Sequence, residues 1–104
     1  MGSAGGRGEV AVVDVRAVSE WARGHIPGTP NIPVGRLVDH LDEMPRDRPL
    51  VMQCQGGGRS IVAASLLQAH GFTNVVDLAG GFSAWEAAGQ PVHRGVETAV
   101  LADA

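Results

Sequence analysis

The sequence predicts an α/β fold, a small parallel sheet flanked by helices. Three observations carry that prediction. Short, continuous apolar segments occupy residues 10–15, 50–54 and 75–78. Each leads through a loop into a segment with helical features, which is the order of βα units around a parallel sheet. The chain of 104 residues has room for one such domain and shows no internal repeat or linker.

Residues 1–8 are small, polar and glycine-rich and are expected to form a flexible lead or a cloning remnant, leaving 9–104 as the domain. Val10 to Val15 is too continuous for a half-exposed strand and suits a sheet covered on both faces. Ser19 is expected to cap a short helix running to Arg23, with Gly24 as its stop. His25 to Val34 holds three prolines and a glycine, so it forms an ordered turn or an extended segment. Three clear strands are few for such a sheet, so either Asn31-Ile32 is expected to add a brief strand, or part of the N-terminus has been cut away, or both. Leu37, Leu41 and Met44 recur at helical spacing until Pro45 ends the pattern.

Leu50 to Cys54 is the second strand. It runs through GGGRS into a helix stopped at Gly71, kept slim by Ala63, Ala64 and Ala69. Val75 to Leu78 is the third strand. Gly80-Gly81 and a short helix follow, with Ser83 and Glu86 at capping-box spacing and Gly89 as the stop. The tail from His93 reads as a short element or a frayed end.

Composition removes several classes of function. All eight basic residues are arginine, the formal charge is -3, and no basic block offers phosphate a surface, so no nucleic-acid partner is expected. No apolar run approaches the roughly 18 residues of a membrane span. A single cysteine forms no intrachain disulfide and holds no structural zinc by itself, and a cytoplasmic location is the simplest expectation.

Chemistry is expected at Cys54-Gln55-Gly56-Gly57-Gly58-Arg59-Ser60. In open α/β sheets, sites form beyond the carboxyl ends of strands. Cys54 stands at such an end, and the next helix aims its N-terminus there, favouring an anion. Three glycines let backbone amides curl into a nest around a sulfur or an oxyanion. The same field favours Cys54 as thiolate, and Arg59 adds a planar fork suited to oxyanions. A cysteine-dependent phosphatase or arsenate reductase is the rival reading. Only four residues separate Cys54 from Arg59, one fewer than in the phosphatase pattern, and Gln53 stands where that pattern usually has histidine. The shorter loop favours a sulfur atom or small oxyanion over a phosphoryl ester.

At this junction the sequence resembles a rhodanese-like sulfurtransferase domain. The resemblance extends from Asp14-Val15-Arg16, through Gly24 to Pro33 (GHIPGTPNIP), to Leu78 to Val92 (LAGGFSAWEAAGQPV). The CxxGxRS loop is typical of single-domain members and of modules attached to other enzymes. The GFSAW stretch is similar to modules fused behind metallo-β-lactamase-fold enzymes that handle persulfides. The resemblance implies a parallel sheet wrapped by helices, here lacking part of the usual N-terminal strand and helix. It also implies sulfur transfer through a persulfide on Cys54, with Gln55 to Ser60 as the substrate loop and Arg59 stabilising the anionic donor. Gly56 and Gly58 stand where relatives commonly carry larger side chains, which implies a wider pocket.

The implied donor is thiosulfate or a low-molecular-weight persulfide, and the implied acceptor cyanide or a thiol. No cofactor or metal is needed. A sulfur relay or binding module serving a fused or partner persulfide-handling enzyme would read identically in sequence. Asp14 and Arg16 are expected to support the site, His25 to pin the proline turn, and Trp85 to reach the mouth of the site secondarily. His40, His70 and His93 lack ligand spacing, and Trp21, Phe72 and Phe82 read as packing.

Overall fold

A computed structural model of the chain describes residues 10–95, so the expected lead and the tail beyond Gly95 lie outside the described residues. Strand β1 (Ala11–Asp14) pairs in parallel with β2 (Leu50–Gln53), and β2 pairs in parallel with β3 (Val75–Asp77). The sheet order is β1-β2-β3. The register sets Asp14 beside Gln53, so β1 and β2 end level with one another. On the other edge of β1, the Asp14 N–H donates to Pro30 and the Asp14 carbonyl accepts from the Ile32 N–H, both at 2.9 Å. The expected strand at Asn31-Ile32 is thus a single parallel bridge, because Pro30 and Pro33 on either side have no N–H to extend a ladder.

Among the described residues, helix α1 (Val18–Arg23) lies between β1 and β2, α2 (Gly58–Ala69) lies between β2 and β3, and α3 (Gly81–Ala87) follows β3. The apolar pattern around Leu37 forms a 3-10 segment, Val34–Glu43, broken by non-helical backbone at His40. Two expected caps are not made. Helix α1 begins one residue before Ser19, and the Glu20 carboxylate accepts the orphan Ala17 N–H at 3.0 Å. Gly80 and Gly81, both at positive φ, turn the chain into α3, so Ser83 already lies inside its first turn.

The main core lies on one face of the sheet. Val13, Leu50, Met52 and Val75 from the strands meet Leu37, Met44, Ala63, Leu67 and Phe72. Full burial of a side chain such as Leu50 or Leu67 stabilises by about 1.5–3 kcal/mol. Ala63 and Ala64 are buried as a slim helix requires, whereas Ala69 is exposed in the last turn. The other face is less covered than expected among the described residues: Val12 and Val51 are half-buried and Val76 is 52% exposed.

At the carboxyl end of that second face sits a buried ion pair. Asp14 and Arg16 are 0% and 2% exposed. The Arg16 Nε donates to both Asp14 carboxylate oxygens at 3.1 Å, and a terminal nitrogen donates to Oδ2 at 2.8 Å. The same guanidinium donates to the Gly24 carbonyl at 2.7 Å and to the Gln55 side-chain oxygen at 2.9 Å, and it stacks 4.5 Å over the Phe82 ring. One side chain thus ties the end of β1 to the end of α1, to the loop after β2 and to α3. Removing one partner of a buried pair costs about 3–5 kcal/mol, because the other charge stays buried alone. Asp14→Ala is therefore expected to lose that much stability in urea unfolding, a large part of what a small domain possesses.

Candidate active site

Alternation along β2 points Leu50 and Met52 into the core, and the same parity carries the Cys54 side chain, 1% exposed, against that core. Its backbone is held from the next βα unit. The Cys54 carbonyl accepts from the Phe82 N–H at 2.7 Å and from the Gln53 side-chain amide at 3.1 Å. The Gln55 carbonyl accepts from the Ser83 N–H at 3.0 Å, while the Gln55 side-chain amide donates to Ser83 Oγ at 2.9 Å. This close approach requires glycine at position 81. A Cβ there would run into the Cys54 carbonyl oxygen and stand 2.7 Å from that of Gln55, and Gly81 has φ +56°.

Around the sulfur, the Gly57 N–H donates to Cys54 Sγ at 3.0 Å, and the amides of Arg59 and Ser60 also interact with it. The Ser60 hydroxyl lies 3.5 Å from Sγ and donates to the Gly57 carbonyl at 3.1 Å. In the thiol form the sulfur donates to that hydroxyl; on ionisation the hydroxyl rotor is free to donate to the sulfur. Burial pushes the Cys54 thiol up. The Ser60 hydroxyl and the amides of Ser60, Gly57 and Arg59 outweigh it, so the net shift is downward. Gly57, at the boundary of α2, has φ +126°, which its neighbours Gly56 and Gly58 do not share.

Cys54 opens on a cavity of about 460 Å³ lined by Val34, Gly56, Gly58, Arg59 and Val62. Added Cβ atoms at Gly56 and Gly58 would meet nothing within 4 Å, so this wall is open. The Arg59 fork is not directed at an incoming oxyanion as expected. Its two terminal nitrogens donate to the two Glu20 oxygens at 2.6 and 3.0 Å. Arg59 holds the Glu20 carboxyl down to about 2, and Glu20 in turn raises Arg59. Glu20 lines a second, polar cavity of about 250 Å³ with Arg16, Arg23, Gln55, Phe82 and Arg94.

The predicted loop residues therefore divide. Cys54, Gly56, Gly57, Gly58, Arg59 and Ser60 surround the sulfur or its cavity, whereas the Gln55 side chain turns away to Arg16 and Ser83. Trp85 does not reach this mouth. Its indole N–H donates to the Pro91 carbonyl at 2.6 Å, and the ring lines a separate cavity with Leu78 and Ala84. His25 is buried, stacked on Trp21 with ring centroids 3.9 Å apart; its Nδ1 lies 2.7 Å from the Trp21 carbonyl and its backbone pairs with His93. Sequence reasoning missed Glu20, Gly81 and Phe82 as parts of the site's surroundings. The glycine pair before α3 was a usable signal for a close approach; nothing local marks Glu20, 39 residues from its partner. Among the described residues no group of three His, Cys, Asp or Glu gathers to hold a metal, and no helix is long and apolar enough to cross a membrane.

A strand-end cysteine in an amide nest at a helix N-terminus, on a sheet with three parallel strands among the described residues, defines a rhodanese-type α/β module. The profile of the rhodanese-like domain matches residues 3–88, and the chain belongs to that family. It is 36% identical to a sulfurtransferase of Allochromatium vinosum, over 81% of this chain and 78% of that protein. It is also 36% identical to the thiosulfate sulfurtransferase GlpE of Pseudoalteromonas translucida, over 77% and 76% of the respective lengths. A crystal structure of thiosulfate sulfurtransferase from Pseudomonas aeruginosa superposes with TM-score 0.77 at 36% identity. That match covers 85% of this chain but 17% of the other. These relationships and the single buried cysteine support a sulfurtransferase type of mechanism.

The rate of Cys54 alkylation by iodoacetamide, normalised to its plateau, is expected to rise at a lower pH than for a free cysteine. Ser60→Ala moves that midpoint upward, because it removes a donor to the thiolate. An unchanged midpoint in the variant would show that the amides alone set it. Among the loop glycines, Gly57→Ala is expected to be the least tolerated, costing about 1–3 kcal/mol from its positive φ. Thermal melts of the Gly56→Ala, Gly57→Ala and Gly58→Ala variants check the ranking, which equal losses would refute.

Proposed function

We propose that this protein is a sulfurtransferase that carries sulfane sulfur as a persulfide on Cys54. The observation that carries the reading is the Cys54 sulfur seated in the amides of Gly57, Arg59 and Ser60, with its thiol shifted downward. A thiolate of this kind attacks the outer sulfur of a donor. With thiosulfate, a new S–S bond forms to Cys54, the donor's S–S bond breaks, and sulfite leaves with the bonding pair. With a persulfide RS–SH, the leaving group is the thiolate RS⁻. Cyanide or an acceptor thiolate then takes the outer sulfur, and Cys54 leaves as thiolate.

The loop amides serve both steps by stabilising negative charge on the Cys54 sulfur before the attack and on the terminal sulfur afterwards. The cavity beside Cys54 has room for a small donor, and its chemistry needs no cofactor or metal. A lone thiol that must return to its reduced form fits a reducing compartment such as the cytoplasm. Supply by a fused or partner persulfide-handling enzyme uses the same two steps, with a protein in place of the small donor.

Mixing the protein with thiosulfate, or with the persulfide of 2-mercaptoethanol, is expected to add one sulfur to its intact mass, removable by cyanide. Cys54→Ser gains none. Aryl phosphates are expected to release negligible phosphate, since the four-residue spacer between Cys54 and Arg59 makes a tight loop. Cys54-dependent phosphate release without sulfur loading from either donor would replace this reading with the phosphatase one.

A further inference from the structure

We propose that Glu20 sets the donor preference of the Cys54 site, selecting persulfide donors over the thiosulfate dianion by holding the Arg59 fork. This rests on the sulfur-transfer reading of Cys54 and names its donor class. Arg59 is the one cationic side chain among the described residues lining the Cys54 cavity. The other side chains there are Val34 and Val62, apart from Cys54 itself, and the glycines contribute none. Both terminal nitrogens of Arg59 are taken by the two Glu20 oxygens, in the bidentate geometry that gives this pair its strength.

Two further facts make the pairing durable. Glu20 also accepts the Ala17 N–H at the start of α1, so its carboxylate is fixed at one end by the backbone. Its carboxyl is lowered to about 2, so it remains ionised throughout the neutral range and the pair has no net charge. A donor entering the cavity therefore meets apolar walls and a cation already neutralised. Thiosulfate brings two negative charges, and its sulfonate end finds no free fork to desolvate against. A persulfide RS–SH brings an uncharged or singly charged sulfur end and an organic group suited to Val34 and Val62. In both reactions the sulfur transferred and the bonds exchanged are those given above; only the leaving group differs.

The test compares second-order rates of Cys54 persulfide formation, read by intact mass, for thiosulfate and for 2-mercaptoethanol persulfide. Glu20→Gln removes the charge while its side-chain carbonyl still accepts the Ala17 N–H. The thiosulfate-to-persulfide rate ratio is expected to rise about tenfold in this variant, the scale of one released charge-assisted contact. A general change in thiol reactivity or folding would move both donors together and leave the ratio alone. In the double variant Glu20→Gln/Arg59→Gln the gain is expected to vanish, because the freed fork is its source. A ratio that stays constant or falls in Glu20→Gln overturns the proposal, as does a gain that survives without Arg59. Those outcomes leave the sulfur-transfer reading standing; that reading fails if the wild-type protein loads from neither donor.

Discussion

The buried Arg16 guanidinium is the contact on which the arrangement of the site depends. Its partners come from β1, the end of α1, the loop after β2 and the face of Phe82 in α3. A charge this deeply buried is tolerable only when its hydrogen-bonding capacity is filled, and Asp14 does most of that filling. The demand works in both directions. Gly24 and Gln55 must come to Arg16, and so the end of α1 and the loop that follows Cys54 are drawn to fixed positions.

A second balance governs the sulfur. Burial by itself would keep Cys54 neutral and inert, as it does for most core cysteines. The amides at the start of α2 and the Ser60 hydroxyl reverse that outcome locally. The fold accomplishes this with one short hydroxyl and three backbone amides, and the amides need no side-chain ordering when the charge appears. The positively charged side chain nearest by sequence, Arg59, is engaged elsewhere. Charge at the reacting atom is thus handled by dipoles, and the guanidinium–carboxylate pair shapes the wall.

Much of the fold was legible in the sequence, and the reasons are local. The strand at Leu50–Gln53, the long helix ending before Gly71 and the turn at Gly80-Gly81 each declare themselves through apolar continuity or glycine placement. The nest around Cys54 was legible too, since it is made by residues within six positions. What escaped were contacts spanning the chain. Arg59 looked like an oxyanion ligand because nothing near it in sequence competes for its fork, yet Glu20 arrives from α1 through the tertiary fold. Ser19 and Ser83 looked like caps because capping is read from spacing, but an acidic residue served one helix start and paired glycines the other. Trp85 follows a strand end as supposed, and the orientation of α3 turns its ring toward Pro91 instead.

The contact at Gly81 bears on what can be exchanged between proteins of this architecture. The first two carbonyls of the loop are held by amides from α3, at a separation that excludes a side chain at position 81. The loop is accordingly not a self-contained cassette. A transplanted segment from Cys54 to Ser60 would bring the nest but leave behind the grip that sets its entry angle. The portable unit is discontinuous: the seven residues after β2 together with the glycine pair and Phe82-Ser83 after β3. Variation in such modules is then constrained in pairs, with freedom concentrated at Gly56 and Gly58, where the backbone is unclasped and faces open space.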